Sequence, residues 1–556
     1  MATLAAQSGL ARTAPQVKGD ARALTVGIGA VMLAHLWLAL TKSINWDEFH
    51  HFDQIRQLAS ATLVSPLQTI HARLFAWLLD LPGDTTVQIR AARLVMLACT
   101  MTTAAALYKI AARFVSHRAA LLTSLAYLSG GYVVAQGTAF RTDPLAAALL
   151  MGALWVLACR PMSLRAALVA GLLVGAAGLV TIKAAFYLPA FAAIIWLRMQ
   201  NDRTAAVRTA LTVLAVALAT FVGLLAWHSV GLAAPPVAAT GDTVASTGRT
   251  VFSAGFAPQW RWVVLQIALA PHCVWLLWQA PAAWREAHFD RATRFGFAGL
   301  MLPLLSLLVY RNAYPYFFVF LLPPVMIAAS PAMARLLERW RGPTLAWAMA
   351  LLAVGIAGAQ SSGEVLEGQR RTIAAVHRMV PVPVAYFDFA GTLGDYPRAL
   401  PFMPSGWGLA EYRRRGTPQF RQAMAARQIP LLIANHPVLA AAMRGDRPSE
   451  RLLDPDADAL RTNYIPHWGR VFAAGKRFEP QGLPTVAEFL VPGTYTLEGA
   501  PLRIDGRLLR PGETVIVERG VHSIAGGSNV AATLRWGDHL AQPTFAPSEA
   551  QPFDEF

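Results

Sequence analysis

Charge is scarce in this chain: 14% of its 556 residues are Asp, Glu, Lys or Arg, against 55% that are hydrophobic. That proportion, with a mean hydropathy of +0.41, excludes a soluble multidomain protein and fits a polytopic membrane protein. Cysteine is nearly absent. Cys99 and Cys273 lie within apolar runs and Cys159 ends one, so there is neither a disulfide framework nor a zinc-ligand spacing. A Walker-type phosphate loop, a Gly-rich dinucleotide fingerprint and a zinc-hydrolase helix motif are also missing, so the chain has no signature of soluble-nucleotide chemistry. The net charge is +16, but its Arg and Lys residues fall in short clusters between apolar runs rather than in one basic stripe. Membrane lipids, not nucleic acid, are therefore the partners this charge implies.

Apolar runs are what the chain has in abundance. After a polar N-terminal tail, 1–22, the run from Ala23 to Thr41 reads as a signal anchor. Further runs lie near 89–108, 119–139, 143–159, 166–182, 184–198, 209–230, 260–280, 295–310, 313–330 and 343–359. Together they predict a transmembrane module over 23–360 with about eleven spans. Basic clusters such as Lys109, Arg113 and Arg118, or Arg285, Arg291 and Arg294, recur in alternate loops together with the N-terminus. Those loops are expected in the cytoplasm, which puts 42–88, 139–143, 181–184, 231–259, 311–314 and everything beyond 360 outside. The composition turns mixed and polar after Gln360. Residues 361–480 predict an α/β domain, with strands at PVAYFDF and IPLLIAN and helices around 417–428, 436–444 and 456–475. Residues 481–545 read as a β-sandwich of short runs punctuated by turns such as Asp505-Gly506, and 546–556 as a disordered tail.

The stretch NWDEFHHFD sets Asp47, Glu48, His50, His51 and Asp53 just beyond the first span. Such a cluster is costly in hydrocarbon and needless in a plain loop, so it marks a site at the membrane surface. On the same expected side lie Arg141 and Asp143 in AFRTDPL, Lys183 in VTIKAAFYLP, and Arg311, Tyr314 and Tyr316 in VYRNAYPYFF. A lone Arg at a helix end ordinarily snorkels to headgroups; convergence on one face is what makes these candidates for substrate binding. A surface carboxylate can act as general base on a hydroxyl while Lys and Arg neutralise a departing phosphate, the chemistry of sugar transfer from a lipid phosphate. Consecutive histidines point to different sides of a helix, so His50 and His51 would share a metal only with distant ligands. No cofactor is called for, and dependence on a divalent metal stays open.

The order of these features resembles the class C glycosyltransferases of the dolichyl-phosphate-mannose mannosyltransferase-like superfamily, and within it the aminoarabinose transferases of lipid A. WDEFHHF is similar to the family's acidic motif in the first external loop, RTDPL to its Arg/Pro-Asp-Pro element, TIKAAFYLP to its Thr-Lys-Gly segment, and RNAYPYFFVFLLPP to its Arg-Tyr-x-Leu-Pro-x-x-Pro-Pro span. The resemblance covers roughly residues 25–330 and implies a module of shared helices, an external domain, and polyprenyl-phosphate monosaccharides as donors. It also implies Asp47 as the catalytic carboxylate, Glu48 as its partner, and Lys183 and Arg311 on the donor phosphate. Where many relatives have Lys-Pro-Pro-Leu this chain has TIHARLF, so His71 and Arg73 would have to serve there.

The expectation is thus an inner-membrane glycosyltransferase acting on a lipid, glycan or protein acceptor at the periplasmic face. An oligosaccharide transferase or polymerase, and a flippase for a lipid-linked sugar, are the alternatives; internal repeats typical of carriers are not evident. A phosphatase fused after Gln360 is expected to be active and a cytoplasmic reporter at the same point silent. The reverse pattern would invert the topology.

Overall fold

The computed structural model describes residues 14–233, 255–400, 405–448, 450–480, 486–526 and 529–554. Helix Phe317–Arg339 is apolar all round, and 94% of its apolar window is accordingly buried at the centre of the bundle. Its Pro323, Pro324 and Pro331 are tolerated there because neighbouring helices enclose the backbone groups they free. Helix Arg203–Ser229 is the opposite case, with 11% buried. Leu211, Leu214, Leu218 and Val222 face outward from it, a surface suited to lipid.

Seven helices among the described residues are long and apolar enough to cross a membrane: Arg22–Thr41, Thr85–Ala111, Thr142–Cys159, Ile182–Met199, Arg203–Ser229, Phe317–Arg339 and Gly342–Ala359. Counting Trp260–Leu269 and Pro271–Glu286, bent by 95°, as one span gives eight. The expected eleven exceeds this because apolarity runs on where helical hydrogen bonding does not. The run at 119–139 divides near Gly130 into His117–Leu128 and Gly131–Gln136. That at 166–182 gives a helix of 17 residues, and that at 295–310 becomes Arg291–Met301 followed by a 3-10 segment, Leu302–Leu308, opening at Pro303. Most of the expected external segment 231–259 lies outside the described residues.

The loop after the first span builds helix Trp46–Ala59, then the short helix His71–Leu74 and a 3-10 turn, Ala76–Asp80. Asn45 starts the long one: its side chain accepts from Asp47 N, while Glu48 accepts from Asn45 N, both at 3.0 Å, a reciprocal capping box. Glu48 also binds across the fold. Arg93 donates to it through Nε at 2.8 Å and Nη2 at 2.6 Å, and Phe140 N donates at 2.7 Å. The same guanidinium donates to the Lys42 and Ser43 carbonyls that end the first span.

Beyond helix Gly363–Met379 the chain forms a seven-stranded sheet. Its strands run in the order Tyr386–Phe387, Leu431–Ile433, Val471–Phe478, Ala532–Trp536, Gly493–Gly499 and Thr514–Val517, with Tyr464–Trp468 also on Val471–Phe478. A four-stranded sheet, Val486–Phe489, Gly520–Ala525, Leu502–Ile504 and Arg507–Leu509, packs on it around Phe489, Leu497, Ile504 and Leu534. The expected boundary at 480/481 therefore does not divide the sheet: Leu534 pairs with Lys476, and Leu432 with Phe472, both on the strand Val471–Phe478. Nor does a helix fill 456–475. Helix Asp454–Asn463 stops where Pro466 forbids its continuation, and the chain turns at Gly469 into a hairpin. Residues 546–554, expected as a disordered tail, pack against the fold. Phe553 inserts its ring 6.0 Å from Phe49 and 6.2 Å from Trp46, an apolar cleft a polar tail would leave empty.

The C-terminal domain docks on helix Trp46–Ala59 through one core that includes Phe49, Phe52, Phe387, Phe389 and Leu432. At Gly391, with φ +88°, a Cβ would lie 2.7 Å from Asp53 Cβ, so only glycine lets the turn come this close. Arg398 closes the seam, donating to Asp53 at 3.2 Å and Asp388 at 3.0 Å with all three side chains at most 3% exposed. Removing one member of a buried ion pair costs about 3–5 kcal/mol. Glu48→Gln is therefore expected to lower unfolding stability in detergent by that order; a loss under about 1 kcal/mol would show that the Arg93 pair does not hold the loop.

Candidate active site

A cavity of about 1070 Å³ opens between the membrane module and the C-terminal domain. Asp47 and Trp46 line it from the loop after the first span, Arg311, Tyr314 and Tyr316 from the loop before the central helix, and Asn435, His436, Arg444 and Arg470 from the C-terminal domain. Local sequence around the last four carries no signal for a site, because the sheet brings them there from separate loops.

Behind Asp47 runs an alternating series of charges. Arg141 donates to Asp47 and stands 3.7 Å from Asp143, which accepts in turn from Lys183. Asp143, Arg141 and Lys183 are buried, and Asp47, 17% exposed, brings the balanced series of two carboxylates and two cations to the cavity wall. Tyr316 covers both cations: the Arg141 guanidinium carbon lies 3.5 Å from its ring centre and Lys183 Nζ 5.1 Å. The three motifs read from sequence as convergent are thus in direct contact.

Other expected members fall elsewhere. Glu48 does not reach the cavity, since Arg93, Asn45 N and Phe140 N take up both of its oxygens. Burial opposes its charge, but Arg93 and the two amides hold its carboxyl below the usual range. Arg73 does not stand in for the missing lysine: it donates to His228 Nδ1 at 3.1 Å and to the His228 and Val230 carbonyls, fastening the end of helix Arg203–Ser229. His71 is 2% exposed. Burial pushes its pKa down to about 4, so it is neutral at pH 7 and cannot offset a phosphate charge. His51, its ring 4.7 Å from His71, is bonded to the Asp47 carbonyl. Burial lowers His50 and, with His71 beside it, lowers His51 further. Among the described residues no three His, Cys, Asp or Glu side chains are grouped to hold a metal ion.

These histidines have a consequence for stability. Their folded-state pKa values lie below the unfolded value near 6.5, so the unfolded chain binds more protons as pH falls from about 6.5 towards about 4. Stability is full above that window and is lost through it, by up to about 1.4 kcal/mol per pH unit for each histidine. The unfolding midpoint in detergent is expected to fall between pH 7 and pH 5, and less steeply for His71→Gln. An identical slope in the variant would remove His71 from the effect.

Residues 71–227 match the family described as dolichyl-phosphate-mannose-protein mannosyltransferase. No curated protein matches the chain in sequence. Among solved structures, the ArnT of Cupriavidus metallidurans bound to undecaprenyl phosphate superposes with a TM-score of 0.54 at 16% identity, covering 76% of this chain and 94% of that one. Its apo form gives 0.52 at 15% identity, over 76% and 95%. At such identities the likeness speaks for the fold. The chain is thus a polytopic membrane protein of the class C glycosyltransferase fold, and its residues 71–227 match the dolichyl-phosphate-mannose-protein mannosyltransferase family.

Proposed function

We propose that the protein transfers a monosaccharide from a polyprenyl-phosphate donor to a lipid, glycan or protein acceptor at the periplasmic face of the inner membrane. The observation that carries this reading is the placement of Asp47, held by Arg141 on the wall of a cavity it shares with Arg311, Tyr314 and Tyr316. In the reaction the acceptor hydroxyl attacks the anomeric carbon and gives its proton to Asp47. The bond from that carbon to the phosphate oxygen breaks, and its electron pair leaves with the lipid phosphate. Arg311 is the expected cation that reaches the cavity, and it takes the donor phosphate; Lys183, paired with Asp143, steadies Arg141 from behind. The ArnT found with undecaprenyl phosphate supports a donor of this class.

Asp47→Asn keeps shape and removes the base, and a general base contributes about 10²–10⁴-fold in rate. Cells carrying only this variant are expected to lose the sugar product, read by mass spectrometry of lipid A, glycans and envelope proteins, while expressing and inserting the protein normally. Product at the wild-type level would end the assignment of Asp47 as base.

A further inference from the structure

Helix Trp46–Ala59 has a second cavity on its other side. Nine positions separate Asp47 from Arg56, about two and a half turns at 3.6 residues per turn, so the two residues occupy opposite faces. The second groove, about 590 Å³, shares no lining residue with the first. Its polar lining includes Arg56, Asp84, Gln88, His377 and Asp395, with Leu79 beside them. On the Asp53 side the seam between the loop and the C-terminal domain is closed by Gly391 and Arg398, whereas here the same seam stands open.

The charges in it are fixed and of both signs. Arg56 is anchored by one bond, Nη1 to the Gly394 carbonyl at 2.9 Å, and its other N–H groups have no protein partner among the described residues. Asp395 accepts from His377 at 2.7 Å yet is 54% exposed. Burial opposes its charge, but His377 and Arg56 together keep its carboxyl below the usual range. Asp84, 26% exposed, caps helix Thr85–Ala111 with Oδ1, which accepts from Thr86 at 2.6 Å and Val87 N at 3.0 Å, and its Oδ2 has Arg370 no nearer than 4.0 Å. Leading up to Leu79, the loop presents Leu74 and Trp77 outward, 46% and 42% exposed, as a segment lying on a membrane surface does.

We propose that this groove holds the headgroup of a zwitterionic phospholipid bearing a primary amine, phosphoethanolamine in type, with its phosphate on Arg56 and its ammonium between Asp84 and Asp395. A primary ammonium donates up to three hydrogen bonds to such carboxylates, whereas a quaternary choline donates none, and a headgroup without an amine brings only its negative charge towards them. The inference does not rest on the reaction proposed at Asp47.

The test uses the full chain in vesicles of phosphatidylglycerol mixed with equal parts of phosphatidylethanolamine and phosphatidylcholine, followed by native mass spectrometry of the lipids retained. Phosphatidylethanolamine is expected to be retained about tenfold over either other lipid, the size of one charge-assisted hydrogen bond. Asp84→Asn with Asp395→Asn, which keeps both shapes, is expected to bring it level with phosphatidylcholine. Free phosphoethanolamine, with phosphocholine as control, is expected to displace the bound lipid from the unmutated protein, which asks the same question without depending on the variant's folding. Equal retention of the three lipids, preference for phosphatidylglycerol, or a preference unchanged in the folded double variant would each overturn the proposal.

Discussion

The carboxylate of Glu48 sets the register of everything around the site. Its four donors come from separate places: Asn45 at the head of its own helix, the two nitrogens of Arg93 in the second span, and Phe140 at the end of the third apolar run. Asp47 is the residue before Glu48, and Arg141 the residue after Phe140. One buried acid therefore positions both halves of the Asp47–Arg141 pair by holding the backbone next to each. Taking a carboxylate and a guanidinium out of water is expensive, and the arrangement is tolerable only because both oxygens are saturated and the remaining Arg93 donors meet the Lys42 and Ser43 carbonyls.

A second clamp acts from the far side. Arg398, bridging Asp53 and Asp388, and the aromatic contacts of Trp46 with Phe389 and Phe553 press the C-terminal domain and its tail onto the same helix. The helix is fixed on both faces, and the cavity between module and domain draws its walls from each. A pocket at such a junction is where a protein ordinarily binds a small ligand, and here it joins apolar spans to a polar C-terminal domain. That geometry suits a donor whose lipid stays in the bilayer while its sugar leaves it.

Much of this was legible in the residues. The apolar runs gave the membrane module, and the shared position of WDEF, RTDP, TIK and RNAYPY after spans gave a cluster that the structure brings into contact. What failed did so for physical reasons. A hydropathy window measures apolarity, so it passes over breaks at Gly130 and Pro303. Asn45 and Glu48 stand at capping-box spacing, a local sign that Glu48 serves its helix, but its bond to Arg93 joins residues 45 apart and has no local trace. His71 and Arg73 rest only on a resemblance to a segment this chain lacks, and burial of one and helix-end bonding of the other decide otherwise. The continuity of the sheet across residue 480 depends on strand pairing, which alternation along one strand does not reveal.

Charge balance then constrains the chemistry at Asp47. In the resting arrangement Asp47 and Asp143 are matched by Arg141 and Lys183, and Tyr316 keeps both cations from water. An anion entering beside Arg311 adds a negative charge to a cavity that Asp47 also lines. On the proposed reading Arg311 takes the donor phosphate, while Arg141 stays on Asp47 and holds its carboxylate at the cavity wall. Donor phosphate and carboxylate then share one cavity while the ion pairs behind Asp47 stay intact.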